Sequence, residues 1–103
     1  MSAKEIRRRE VADEDIDDAI SYYEGQSEQA TIGFIDDLQR TYKKIAASPK
    51  IGSPRYAYQL DLPGFLCRKL DKYPYMVFYF EHDDHIDVWR VLHEKRDIPN
   101  YLD

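Results

Sequence analysis

YPYMVFYFEHDDHIDVWRVLHEKRD, residues Tyr73 to Asp97, is the stretch that decides the fold. Two apolar runs rich in aromatic and β-branched residues flank the polar cluster His82 to His85, the pattern of a β-hairpin. The second run ends in a charged packet of Arg90, His93, Lys95, Arg96 and Asp97. In the first run both alternating sets are apolar, with Tyr75, Val77 and Tyr79 on one face and Met76, Phe78 and Phe80 on the other. The last run sets Ile86, Val88 and Leu92 against Trp89 and Val91. Strands apolar on both faces need cover on both sides.

Upstream of the hairpin, Pro63-Gly64 signals a turn and Phe65 to Leu70 reads as a strand, with Asp71-Lys72 as its connection to the next. Strands Phe65 to Leu70, Tyr75 to Glu81 and Ile86 to His93 therefore form an antiparallel meander. Ile51 to Arg55 is a Gly/Pro loop, and Tyr56 to Leu60 a short strand.

The first half changes period. Ile16, Ala19, Ile20 and Tyr23 recur at helical spacing, so residues 14–25 form an amphipathic helix with Asp13 as N-cap and Gly25 as its stop. A second helix runs from Glu28 to Ala47 on Phe34, Ile35, Leu38, Tyr42 and Ile45, and Ser48-Pro49 ends it. Ile6 to Val11 is either an edge strand or the lead into the first helix. The expected fold is α+β: an N-terminal helical hairpin packed on an antiparallel sheet of three to four strands, a single domain over residues 1–103. One helical hairpin covers one face of such a sheet, which leaves the second face for a partner.

Composition narrows the class of function. The chain has 103 residues, 43% hydrophobic and 34% charged, the size and balance of one small globular domain. A single cysteine, Cys67, rules out an internal disulfide and suits a reducing cytoplasm; within its apolar run it reads as a buried, inert thiol. MSAKEIRRRE carries no apolar stretch of a signal peptide, and no run is long enough to span a bilayer. Net charge is −5, and residues 10–28 hold eight carboxylates with no Lys or Arg, a field that repels a phosphate backbone. Nine tyrosines add ring surface with polar tips, which favours a protein interface.

The constellations that carry chemistry are few. His82, Asp83, Asp84 and His85 have ligand chemistry but crowd one turn with no distal ligand, so no metal and no cofactor are expected. Asp17 and Asp18 are adjacent and point to different parts of a helix surface, a poor acid–base pair. No nucleophile elbow or glycine-rich phosphate loop is present. Arg90 interrupts an apolar strand; it either pairs with a carboxylate such as Asp87 or Asp97, or one on a neighbouring strand, or presents its guanidinium to a partner. His93 makes a structural hydrogen bond or transfers a proton. Lys95, Arg96 and the tail IPNYLD read as exposed.

The order of elements, with DIDDAISYYE, SPKIGSPR, PGFLCRKL, PYMVFYF and VWRVLHEKRD in sequence, resembles the RelE/ParE superfamily of toxin–antitoxin modules, and its ParE branch above all. The resemblance covers nearly the whole chain. It implies a toxin that poisons DNA gyrase by binding, without nuclease chemistry, in the bacterial cytoplasm. It also implies a ParD-like antitoxin whose flexible tail wraps the toxin and whose own DNA-binding domain brings the complex to its operon, so that DNA is met only indirectly. Contact residues on this basis are Arg68, Tyr75, Tyr79, Trp89, Arg90, His93, Arg96 and Tyr101. The alternative is a RelE-like, ribosome-dependent mRNA endonuclease using Arg68, Tyr79, Arg90 and His93. Against it, Pro74, Tyr75 and Met76 stand where such nucleases carry an arginine. A third possibility is an inert member that keeps only antitoxin binding and operon control.

Overall fold

The computed structural model describes residues 3–102. Strand β1 (Glu5–Arg8) leads into helices α1 (Glu10–Glu24) and α2 (Glu28–Ala47). A 3₁₀ turn (Pro49–Ile51) and helix α3 (Arg55–Leu60) follow, then strands β2 (Phe65–Lys69), β3 (Tyr75–Glu81) and β4 (His85–His93), and helix α4 (Ile98–Leu102). Both alternatives for Ile6 to Val11 are realised in turn, strand first and helix from Glu10.

Helix α1 starts four residues before the expected start at residue 14. Arg9 is its N-cap residue: its carbonyl accepts from the N–H groups of Ala12 and Asp13. The Asp13 carboxylate instead takes the Arg8 guanidinium at 2.6 Å. Helix α2 begins where Ser27 Oγ accepts the Ala30 N–H. It ends at Ser48-Pro49, as the sequence predicts.

The sheet is mixed, in the order β1-β4-β3-β2. The β2–β3–β4 meander is antiparallel as expected, but β1 lies parallel to β4, with Ile6 opposite Ile86 and Arg8 opposite Val88. This corrects the purely antiparallel sheet. Helices α1, α2 and α3 and strands β2 and β3 separate β1 from β4, and a connection that long permits parallel pairing.

A bulge in β4 resets its faces. Phe78 pairs with Arg90 and Tyr79 with Val88, so Trp89 is the extra residue. Before it, Ile86 and Val88 pack with the helices; after it, Val91 does, while Leu92 joins the opposite face. The predicted grouping of Leu92 with Val88 and of Val91 with Trp89 is thereby exchanged.

The helix side of the sheet buries Val77, Tyr79, Val88 and Val91 against Ala19, Tyr23, Phe34, Leu38 and Ile45. The other side is not left for a partner, as the sequence suggested. Tyr56 and Ala57 of α3 and Ile98 and Leu102 of α4 bury with Phe65, Cys67, Phe78 and Leu92. Tyr56 to Leu60 is helical rather than extended. An extended chain would put Tyr58 on the same side as Tyr56, yet Tyr56 is 7% exposed and Tyr58 82%. The IPNYL tail is a docked helix, and burying Ile98 and Leu102 contributes about 3–5 kcal/mol before its ordering cost. Asp103 lies outside the described residues. Cys67 is buried, and burial pushes its thiol pKa up, which suppresses the thiolate.

In the β3–β4 turn the His82 N–H donates to the His85 carbonyl and the two imidazoles stack at 4.7 Å. Among the described residues no three His, Cys, Asp or Glu side chains form a metal-binding group. No helix among them is long and apolar enough to cross a membrane.

Asp37 of α2 is fully buried, and its Oδ2 accepts the N–H groups of Lys72 and Tyr73 at 2.8 and 2.9 Å. It fastens the β2–β3 turn to the helical layer. Asp37→Ala orphans both amides and is expected to cost about 2–4 kcal/mol, read as a lower urea midpoint at unchanged m.

Ion pairs tie both ends of β1 to the hairpin: Lys4 to Glu81 at 2.8 Å and Arg9 to Asp87 at 2.8 Å. Hydrogen bonds from these cations hold the Glu81 and Asp87 carboxyls below their ordinary pKa values. A carboxyl depressed in the folded state stabilises above its unfolded pKa and loses that contribution as pH falls through the folded one. The β1–β4 contact is therefore expected to be intact above about pH 5 and to loosen below about pH 4, seen as faster amide exchange in β1 than in β3.

Candidate functional site

β4 outruns β1 by several residues, and what happens on that open edge builds the site. On the β1 side, no described strand pairs with β4 beyond Val88, and Asp15 of α1 takes that strand's place: its Oδ2 accepts the Val91 N–H at 3.1 Å. The same carboxylate receives Arg90 in a two-point pair, Nε to Oδ2 and Nη2 to Oδ1, both 2.7 Å. Arg90 Nη1 donates to the Tyr101 carbonyl of α4 at 2.8 Å. One guanidinium thus joins α1 on one face of the sheet to α4 on the other. The pair is largely shielded, with 18% of the Arg90 side chain and 10% of Asp15 exposed. The Asp15 hydrogen bond is the largest of the causes that raise the Arg90 pKa above its ordinary value. The expected pairing with Asp87, Asp97 or a strand carboxylate is corrected: Asp87 belongs to Arg9, Asp97 takes Asn100, and the partner comes from α1.

Beside this clamp lies an open cleft of about 390 Å³ between α1, the end of β4 and α4. Its walls include Tyr22, Tyr75, Arg90, His93, Arg96 and Tyr101. His93 Nδ1 accepts the Lys95 N–H at 3.1 Å, the structural bond, and its ring meets Tyr75 edge-on at 5.2 Å. Arg96 lies over the Tyr101 ring, 5.0 Å from its centroid, and reaches its hydroxyl. Burial raises the pKa of the Tyr75 hydroxyl, so it stays a neutral donor. Arg90 gives its donors to Asp15 and the Tyr101 carbonyl, and Asp15 and Asp18 stand against the two arginines. This concave surface, with its imidazole and three phenols, therefore suits recognition of a polypeptide by mixed polar and apolar contacts.

The remaining expected contact residues lie elsewhere. Tyr79 is fully buried; its hydroxyl donates to the Pro49 carbonyl at 2.7 Å and accepts the Gly52 N–H at 3.0 Å, and burial pushes its pKa to about 12. In the folded chain it is a core residue, which corrects its place among the contact groups. Trp89 packs on the second face against Phe65 and Phe80, with the Arg9 guanidinium 4.4 Å above its ring. Arg68 sits on β2, and β3 separates it from β4 and Arg90, about 10 Å in strand spacing. The four residues of the nuclease alternative therefore do not converge on one site. Asp15, the central carboxylate of the clamp, was not singled out from the sequence, although its place within the acidic first turns of a helix is visible there.

The structure is an α+β fold in which an α1–α2 hairpin packs on a four-stranded mixed sheet, with a clamped cleft at the sheet's open edge. The family model for the ParE toxin of the type II toxin–antitoxin system, parDE, matches residues 6–98, and the chain belongs to that family. No curated protein matches it. Among solved structures, the chromosomal ParDE toxin–antitoxin system from P. aeruginosa contains a chain of the same fold. The TM-score is 0.71 at 16% identity over 88% of this chain and 96% of that one.

Arg90→Ala removes the guanidinium and strands Asp15 in a shielded place. It is expected to cost about 3 kcal/mol and to release α4, read as a lower urea midpoint with faster proteolysis at the C-terminus. Arg90→Lys keeps the charge but loses the two-point geometry, so its effect is expected to be intermediate.

Proposed function

We propose that this ParE-type toxin inhibits DNA gyrase by protein–protein binding, making and breaking no covalent bond, and that a ParD-like antitoxin neutralises it in the cytoplasm. The observation that carries this is the cleft: five of the residues expected to contact a partner, Tyr75, Arg90, His93, Arg96 and Tyr101, line one concave surface. The separation of Arg68 on β2 and of buried Tyr79 from Arg90 and His93 supports binding rather than phosphodiester cleavage. Family membership supports the antitoxin, and the antitoxin's own DNA-binding domain would bring the complex to DNA.

The deciding experiment is a supercoiling assay with purified gyrase, with and without the product of the neighbouring reading frame, which is expected to be a short ribbon–helix–helix protein. Inhibition is expected, with relief as the antitoxin is added. In cells the expected phenotype is filamentation with a DNA-damage response. Replacing Arg96 and Tyr101 together by Ala spares Ile98 and Leu102 and is expected to weaken inhibition about tenfold or more at near-native stability. Rapid translation arrest with cleaved mRNA would instead establish the nuclease, and normal growth with intact antitoxin binding an inert member. Deleting residues 98–103 is the poorer test, because it removes core side chains along with the surface.

A further inference from the structure

On the sheet edge opposite the cleft, β2 carries Arg68. Its register opposite Val77 points it to the helix side, toward the second half of α2. Two of the cations around it are engaged. Arg40 reaches Asp37 at 3.3 Å, and Lys44 holds Asp71 at 2.5 Å. Arg68 itself is half-buried and makes no ion pair or side-chain hydrogen bond among the described residues. A partly desolvated guanidinium without an anion costs free energy in the isolated chain.

Its surroundings are cationic although the protein is acidic. Lys44, then Arg68 and Arg40, hold the Asp71 carboxyl below its ordinary pKa, which places all three within electrostatic reach of one carboxylate. Lys43 and Lys72 are exposed on the same stretch of α2 and the β2–β3 turn. Asp36, Asp37 and Asp71 offset part of this charge, but Asp37 is buried and Asp71 is tied to Lys44.

We propose that Arg68, with Arg40, Lys43 and Lys72 around it, is a second docking surface that takes an acidic segment of a protein partner. A guanidinium fork pairs with a carboxylate at two points, and flexible lysines follow a chain of spaced acids. A nucleic acid fits less well. Its affinity depends on neutralising many consecutive phosphates, whereas this patch has carboxylates within it on a chain of net charge −5. The surface lies across the sheet from the cleft and does not depend on what the cleft binds.

The test is a titration of the isotope-labelled protein with a capped hexaglutamate peptide at low salt, followed by amide NMR, with a single-stranded oligothymidylate as the second probe. The peptide is expected to shift amides from Leu66 to Lys72 and around Arg40. Arg68→Glu is expected to weaken that binding about tenfold or more, and Arg7→Gln, at an exposed position on β1 at the other edge of the sheet, to leave it unchanged. Should Arg68→Glu perturb the fold, the exposed double variant Arg40→Gln, Lys72→Gln is expected to weaken the peptide in the same direction. Shifts confined to the cleft, no response to either set of substitutions, or tighter binding of the oligothymidylate would each overturn the proposal.

Discussion

The two-point pair between Asp15 and Arg90 is the contact on which the layered arrangement turns. Arg90 occupies the place where β4 has lost β1 as a neighbour and α4 has yet to begin. From there its guanidinium reaches a helix on one side of the sheet and a carbonyl on the other. The bulge at Trp89 makes this possible by turning Arg90 toward the second face while Val91 stays in the first core. Without the extra residue, strict alternation would put Arg90 among the helices' apolar side chains. The charge is tolerated because it leaves the sheet at its edge, where hydrogen-bonding partners are available on both sides.

Two helical aspartates do work that backbone usually does. Asp15 accepts an amide from an unpaired strand edge, and Asp37 accepts two from the β2–β3 turn. Both fasten α-helix to β-structure with a charged acceptor, a stronger hydrogen bond than a neutral one. They also explain why the hairpin of helices sits in one orientation: apolar burial is non-directional, whereas these bonds fix a position along each helix.

What was legible in the sequence is what local periodicity records. The α1–α2 hairpin and the three-stranded meander follow from spacings within each segment, and Glu28–Ala47 and Tyr75–Glu81 emerge with the expected boundaries. The parallel partner of β4 was not legible, because four residues near the N-terminus carry no mark of the strand they join. Nor was α3, where Tyr56, Tyr58 and Leu60 alternate as a strand would although Tyr58 faces water. Five-residue α4 is too short to show a period. The cleft was half legible: its cations and phenols stood out beside β4, but Tyr22 and the clamp's Asp15 come from α1, and distance in sequence hid them. Tyr79 misled because alternation assigns a face without saying how deep that face is buried.

The parallel β1–β4 ladder sets the order in which the molecule assembles. It joins the first described strand to the last, so the sheet cannot close until His85 to Val88 of β4 have left the ribosome. Until then the nascent chain holds a helical hairpin and an incomplete sheet, and the α1–β4–α4 cleft does not exist. A growing chain is therefore without this cleft until β4 and α4 have both been made.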